Sequence, residues 1–221
     1  MIHLFALLSL LLCGVCYTGF QNSSHFHNTS NRRSLLLLVF GGALLLRLLL
    51  AYTTHGFSND IACFAAWADR IFTLGPGQFY SAEMFTDYPP GFMYVLYLIG
   101  ALRSLLQIPY YSDLHILLLK LPAILCDIAC GFLLYREAVK RLHFSDLQGI
   151  FAASAYLFQP AVILNSSCWG QVDSVYTLMI ILMCLFLMKG NLLPAYAVYG
   201  LGVLLKPQML IFTPVLLAGI W

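Results

Sequence analysis

Long apolar stretches alternate with short polar connections along most of the chain. Each stretch approaches the roughly 20 residues that an α-helix needs to cross a bilayer. An earlier apolar segment, Ile2–Phe20, lacks the basic start of a signal peptide and is interpreted as a further span or signal-anchor. The fold class predicted from this pattern is all-α, a polytopic transmembrane helix bundle. The predicted spans are Ser34–Tyr52, Phe92–Ile108, Leu114–Tyr135, Gln148–Leu164, Val172–Met188 and a last run that starts at Leu192.

The longest polar interval, Phe57–Gly91, separates the first two of these spans. Within it, apolar residues recur at helical spacing over Asn59–Leu74, which predicts a short amphipathic helix lying in the membrane interface. Asp60 falls in the first turn of that helix, where a carboxylate either serves chemistry or only complements the helix dipole. The interval closes with the letters DYPPG, whose consecutive prolines predict a rigid, extended approach to the next span.

The composition restricts the class of protein. Hydrophobic residues make up 61% of the chain and charged residues 9%, whereas a soluble domain carries about 25% charged residues. A net charge of +2, with no basic run longer than Arg32-Arg33, argues against a nucleic-acid partner. We divide the chain into an N-terminal segment with its linker, residues 1–33, and a membrane module, residues 34–221. Because the sequence stops at Trp221 inside an apolar run, we expect this module to be incomplete at its C-terminus.

Charged residues inside predicted spans are costly and therefore mark candidate functional sites. Lys120 and Asp127 lie seven residues apart in the third predicted span. At 1.5 Å per residue they are separated by about 10 Å along a helix. We do not expect them to pair with each other. Each of them either serves function or meets a partner on another helix.

Two further polar groups interrupt the apolar runs. Trp169, Gln171 and Asp173 combine a flat indole with an amide and a carboxylate, which suits the apolar face and hydroxyl edges of a sugar. An interfacial tryptophan with helix-capping neighbours would have the same sequence. Lys206 and Gln208 flank a proline that breaks the last apolar run. A cation at such a break would suit a phosphate.

Basic residues predict orientation through the positive-inside rule. Arg32-Arg33 before the first confident span predicts a cytoplasmic start, which places the long polar interval outside. The basic cluster at residues 136–141 also favours the cytoplasm, but strict alternation of spans would place it outside. Either the second predicted span does not cross completely, or the N-terminal apolar segment changes the count.

Several segments together resemble one family. An acidic residue follows the first span, DYPPG leads into the next, and later segments read KLPAILCDIACGFLLY, FQPAVILNSSCWGQVD and LLKPQMLIFTPVLL. In this order they resemble the GT-C superfamily of membrane glycosyltransferases, which use polyprenyl- or dolichyl-phosphate sugars. The likeness covers residues 34–221 and is greatest to bacterial phospholipid carrier-dependent mannosyl- or glucosyltransferase-like proteins.

The resemblance implies a GT-C-like bundle in which Asp60 is the catalytic base that deprotonates the acceptor hydroxyl. It makes Lys206 the first choice for steadying the leaving phosphate, with Arg103 second. No cofactor is expected and no metal ligand is assigned, although the sequence leaves open a divalent cation shared by Asp60 and Asp87. The residues expected to bind sugar, acceptor or phosphate, or to shape their pocket, are Asp87, Tyr88, Arg103, Trp169, Gln171, Asp173, Lys206 and Gln208.

The function predicted in this way is an inverting hexosyltransferase in the bacterial plasma membrane, or in the endoplasmic reticulum of a eukaryote. Its expected partners are a polyprenyl-phosphate sugar donor, a glycan, lipid or protein acceptor outside the cytoplasm, and membrane lipid. One alternative is a transporter or flippase, which would carry repeated interrupted helices; the sequence shows one interruption, at Lys206-Pro207. Another is a truncated, inactive remnant. Asn59 precedes a single acid where many family members carry two, and their further spans and later external loop are missing here.

Overall fold

The computed structural model describes residues 32–81 and 85–219, together with the isolated positions 14 and 18. Every regular element in these ranges is helical, so the predicted all-α class is confirmed for them. The predicted segment Ile2–Phe20 lies outside the described residues except at those two positions. The α-helices are α1 (Arg32–Thr53), α2 (Ser58–Leu74), α3 (Pro90–Leu105), α4 (Asp113–Lys140), α5 (Asp146–Leu157), α6 (Pro160–Ile163), α7 (Asp173–Leu187), α8 (Leu192–Leu205) and α9 (Thr213–Ala218).

Two helices in the described ranges, α1 with 22 residues and α4 with 28, are long and apolar enough to cross a membrane. They correspond to the spans predicted at Ser34–Tyr52 and Leu114–Tyr135. A third is obtained if α5 and the helical segment that starts at Pro160 are counted as one span despite a 51° bend between them. The remaining apolar helices, among them α3, α7 and α8, are shorter. The described chain is thus a helical bundle whose long apolar helices indicate a membrane protein.

The two long helices pack antiparallel. At one end of the pair, Arg32 Nε lies 3.1 Å from Asp146 Oδ1 and donates to the Tyr135 hydroxyl at 3.0 Å. At the other end, His55 Nδ1 lies 3.6 Å from Asp113 Oδ1. The chain between α1 and α4 therefore leaves and returns at the same end of this pair.

This return removes the conflict between the two basic clusters. Both the start of α1 and the cluster at residues 136–141 lie at one end of the pair, because the helices are antiparallel. The second predicted span, Phe92–Ile108, is the 16-residue α3 and adds no net crossing between α1 and α4. The expectation of a complete crossing there is not met. The structure therefore agrees with the explanation that the second predicted span does not cross completely.

The amphipathic helix predicted in the polar interval is α2, which ends at Gly75 with a φ of +81°. α2 packs against α3: the ring centroids of Phe64 and Phe92 are 5.5 Å apart, and Asp69 pairs with Arg103. The apolar side of α2 is buried in a core that it shares with α3 and the start of α4. Protein therefore covers much of the face that the sequence assigned to the membrane interface.

A first helix break lies between α5 and α7. α5 ends at Leu157, and a new helix begins at Pro160, whose ring and missing N–H suit a first helical turn. This helix becomes a π-helical turn, Leu164–Trp169, and stops at Gly170 with a φ of +89°. This interruption, which lies within the predicted span Gln148–Leu164, was not predicted from the sequence.

A second break follows α8, where it was predicted. The backbone of Lys206 is extended, with φ −153° and ψ 125°, and Pro207 opens a 3-10 helix that runs to Phe212. The turn packs back on α7 and α8 through Met209, which is completely buried. Both breaks end beside the first turns of α2.

A buried polar cluster holds four helices together. Arg47 on α1 and Asp127 on α4 are both completely buried, and Arg47 Nε donates to Asp127 Oδ2 at 3.2 Å. The Tyr156 hydroxyl of α5 donates to Asp127 Oδ1 at 3.1 Å, and the Ser174 hydroxyl of α7 donates to the same oxygen. Asp127 is therefore a packing residue whose single carboxylate connects α1, α4, α5 and α7.

Lys120 has different partners. Its Nζ donates to Ala51 O at 3.1 Å and to Thr54 O at 2.6 Å, so the buried ammonium lies at the negative end of the α1 dipole. The prediction that Lys120 and Asp127 do not pair with each other is confirmed. Each of them instead ties α4 to α1.

Removal of the carboxylate in Asp127→Ala should destabilise the protein by about 3–5 kcal/mol, because the Arg47 guanidinium is then buried without its partner. Thermal unfolding of the detergent-purified protein measures this loss. Glu137→Ala is the control, since Glu137 pairs with Arg136 at a partly exposed position and its removal should cost no more than about 1 kcal/mol. Equal losses in the two variants would contradict the role given to the buried pair.

Candidate active site

A cavity of about 280 Å³ opens where the first turns of α2 face the two helix breaks. It belongs to the end of the α1–α4 pair at which α1 finishes, because α2 begins there. Three parts of the chain line it: α2, the segment that returns towards α3, and the residues at the two breaks. The lining residues are Asp60, Cys63, Phe64, Trp67, Phe85, Asp87, Tyr88, Gln171, Lys206, Pro207 and Gln208.

Asp60 lies in the first turn of α2, and its carboxylate is bound by residues of the first helix break. The Trp169 indole Nε1 donates to Asp60 Oδ2 at 3.1 Å, and the Gln171 side-chain amide donates to the same oxygen. The Phe57 backbone N–H donates to Trp169 O at 2.8 Å, and the two aromatic rings lie 5.2 Å apart. These contacts fix the orientation of a half-buried carboxylate at the start of a helix, where the dipole also favours its negative charge.

Lys206 supplies the positive charge of the site. Its Nζ donates to the Asp173 carboxylate and, at a distance of 3.5 Å, to Gln171 Oε1. The rings of Tyr88 and Tyr176 lie 5.7 Å and 5.6 Å from the ammonium, within the range of cation–π attraction. Only 10% of the Lys206 side chain is exposed. An ammonium with so little water around it interacts strongly with an anion that enters the cavity.

The Gln171 amide connects the carboxylate to the cation. Its Nε2 donates to Asp60. Its Oε1 accepts from Lys206 Nζ and from the Tyr88 hydroxyl, each at a distance of 3.5 Å. Burial, and after it the negative charge of Asp173, raises the pKa of Tyr88, so that this hydroxyl stays protonated as a donor. Acid, amide, phenol and ammonium therefore form one polar array along the cavity wall.

The structure brings the other predicted binding residues into or beside this cavity, except Arg103; Trp169 and Asp173 do not line it but hydrogen-bond to the lining residues Asp60 and Lys206. Asp87 and Gln208 line it directly. Arg103 lies elsewhere: it pairs with Asp69 on α2 and donates to Ile108 O at 3.3 Å. The structure therefore does not bring the second-choice phosphate ligand to Lys206.

Some residues of the cavity were missed by sequence reasoning. Cys63 lies one helical turn after Asp60, so helical spacing could have identified it. Phe85 had no local signal, because the Trp67 indole fixes its position by donating to Phe85 O at 3.1 Å. Asn165 does not line the cavity, but its side-chain amide donates to the Asp173 carboxylate at 2.9 Å, a contact that is recognisable only in three dimensions.

In residues 32–81 and 85–219, no cluster of three or more His, Cys, Asp or Glu side chains is arranged to hold a metal ion. Asp60 and Asp87 both line the cavity, so the shared divalent cation stays an open alternative that rests on these two carboxylates.

Alkylation of Cys63 tests the electrostatics of the cavity. Burial raises the pKa of this thiol, and the carboxylates of Asp87 and Asp60 raise it further. Because the thiolate is the reactive form, a variant with Cys63 as its single cysteine should react with iodoacetamide at a higher pH than a free thiol does. Asp87→Asn in this background should shift the rate–pH profile to lower pH, whereas Asp113→Asn, outside the cavity, should leave it unchanged. A profile that does not respond to Asp87→Asn would show that the carboxylate does not face the thiol.

No family model matches this sequence, and comparisons with curated proteins and with solved structures give no match.

Proposed function

We propose that the protein is an integral-membrane glycosyltransferase of the GT-C type, which moves a hexose from a polyprenyl-phosphate donor to an acceptor on the extracytoplasmic side. The observation that carries this proposal is the joint position of Asp60 and Lys206. Both line one cavity, and the Gln171 amide connects them. A base for an acceptor hydroxyl and a cation for a leaving phosphate are the two groups that such a transfer requires.

Asp60 is suited to act as the base. Within the described ranges, the hydrogen bonds that reach its carboxylate go to Oδ2, which leaves Oδ1 for the hydroxyl of the acceptor. Asp60 takes the proton as the hydroxyl oxygen attacks the anomeric carbon. The bond between that carbon and the phosphate oxygen breaks, the polyprenyl phosphate leaves with the electron pair, and the configuration inverts. The held geometry matters because a base must lie within about 3.2 Å of the proton donor's oxygen.

Lys206 is suited to steady the negative charge that develops on the leaving phosphate. Its ammonium is nearly dry and lies between two tyrosine rings, so its field is weakly screened. The Asp173 carboxylate positions it, and the Tyr88 hydroxyl and the Gln208 amide add neutral donors at the same wall. The face of the Trp169 indole, half of which is exposed, offers an apolar surface for the sugar ring.

The orientation of the bundle supports a reaction on the extracytoplasmic side of the membrane. The start of α1 and the basic cluster at residues 136–141 share one end, which the positive-inside rule assigns to the cytoplasm. The cavity lies at the opposite end of the α1–α4 pair. The proposed reaction then takes place outside the plasma membrane in a bacterium, or in the lumen of the endoplasmic reticulum in a eukaryote.

Asp60→Asn should lower the rate of sugar transfer by about 10²- to 10⁴-fold, because the amide cannot accept the proton of the acceptor hydroxyl. The measurement is incorporation of labelled hexose from a polyprenyl-phosphate donor in membranes that contain the protein. Asp113→Asn is the matched control, since Asp113 is an exposed acid at the same end of α1 and α4, and this variant should transfer normally. Undiminished transfer by Asp60→Asn, with equal membrane insertion, would remove Asp60 from its role. A wild-type protein that folds but transfers no sugar would favour the inactive remnant.

The structure also contains an observation that favours the transporter or flippase alternative. A transporter is expected to carry more than one interrupted helix, and the described chain has two proline-linked breaks, before Pro160 and before Pro207. The helical segment that begins at Pro160 ends just before Gln171, which lines the candidate active-site cavity, and the break before Pro207 adjoins the same cavity at Lys206.

Reconstituted vesicles separate these two functions. The glycosyltransferase should form a covalent product from a labelled polyprenyl-phosphate sugar, and Asp60→Asn should lower the rate of its formation by about 10²- to 10⁴-fold. A transporter or flippase would move the labelled compound across the membrane unchanged. Movement without any covalent product would decide for the alternative and against the transferase.

A further inference from the structure

A second polar cavity lies at the opposite end of the bundle from the candidate active site. It has a volume of about 460 Å³ and is formed where α4 and α7 both end. The lining residues are Arg136, Glu137, Lys140, Arg141, Met188 and Lys189. Nothing in the proposed sugar transfer uses these residues.

This cavity concentrates positive charge. Four of the eleven Lys and Arg residues of the chain line it, against one carboxylate, so that its net charge of +3 exceeds the +2 of the whole protein. Glu137 is engaged by Arg136, whose Nε and Nη2 donate to the same oxygen at 2.9 and 2.6 Å. Lys140 and Lys189 are exposed, and no hydrogen bond or ion pair within the described chain uses their ammonium groups. The charge of these two residues is therefore available to an outside anion.

The cavity is preformed by a contact between its two walls. Arg141 Nη2 donates to Met188 O at 2.9 Å, which joins the residue after α4 to the residue after α7. The turn that follows is sharp, because Gly190 has a φ of +71°. A guanidinium has five N–H donors, and this bond uses one of them. Arg141 can thus hold the wall and still donate to a ligand.

Its position indicates a ligand that lies at a membrane surface. α4 is one of the two helices long enough to cross, and the cavity lies at its C-terminal end. Two large apolar side chains, Leu142 and Met188, are 60% and 56% exposed beside the cations. A soluble anion gains nothing from exposed apolar neighbours, whereas a lipid places its glycerol and acyl chains against them. Basic residues at the cytoplasmic boundary attract anionic lipid for the same electrostatic reason.

We propose that this basic cavity binds the phosphate of an anionic phospholipid headgroup in the cytoplasmic leaflet. Lys140 and Lys189 supply point charges to the phosphate, Arg141 supplies directed donors, and Leu142 with Met188 contacts the adjoining apolar part of the lipid. The site does not depend on the proposed sugar transfer, so its test needs no enzymatic activity.

The experiment uses the purified protein in neutral detergent and a phosphatidylglycerol probe that carries a fluorophore on its acyl chain. Unlabelled phosphatidylglycerol should displace the probe, while phosphatidylcholine and inorganic phosphate at the same concentration should not. Displacement by phosphatidylcholine would show an apolar crevice without charge recognition. Displacement by inorganic phosphate would show a site for soluble anions. Either result would overturn the proposal.

Charge variants locate the binding site. Lys140→Gln and Lys189→Gln should each weaken probe binding about five-fold, as expected for one cation near an anionic lipid, and Lys189→Arg should retain it. Arg33→Gln is the matched control, because it removes one exposed charge at the same end of the bundle but outside the cavity. Equal weakening by Arg33→Gln would show that the surface potential acts without a site. Unfolding temperatures equal to that of the wild type establish that the variants are folded.

Discussion

The buried ion pair between Arg47 and Asp127 constrains the whole arrangement. A charge without access to water is stable only when it is paired, so α1 and α4 must be in contact at the level of Arg47 and Asp127. Lys120 adds a second connection nearer the end of α1, where its ammonium binds the last carbonyl groups of that helix. Two separate polar contacts along the same pair of helices define both the antiparallel direction and the register. Tyr156 and Ser174 then bring α5 and α7 to the same carboxylate.

The candidate active site follows from this register. The end of α1 is held by Lys120, and α2 begins a few residues later with Asp60 in its first turn. Gly170 lies against α2 and α4: a Cβ there would be 2.6 Å from Ile61 Cδ1 and 3.4 Å from Lys120 Cε. A residue without a side chain, at a positive φ, is what allows the first helix break to approach so closely. Gln171 then follows at the right place to bind the carboxylate.

The two ends of the bundle have opposite chemical characters. One end combines two carboxylates, neutral donors and a single nearly dry ammonium around a small cavity. The other end holds an open basic cavity with apolar side chains beside it. The first arrangement suits a reaction in which charge moves between defined atoms, because its groups are held by specific hydrogen bonds. The second suits attraction to a charged membrane surface, because its lysines are exposed and each carries a point charge on a flexible side chain.

The sequence by itself determined what depends on length and period. The length of the apolar runs predicted α1 and α4, helical spacing predicted α2 with Asp60 in its first turn, and the proline at 207 predicted the break at Lys206. These properties are local, since a helix period or a missing N–H acts within a few residues. The tertiary structure alone decided which partner each charge takes. It pairs Arg103 with Asp69 and brings Gln171 to Asp60, 111 residues away in the chain. The tertiary structure also decides that α3 adds no net membrane crossing between α1 and α4. The chain returns to the start of α4 because of the way α2 and α3 pack together. No single stretch of sequence predicts that packing.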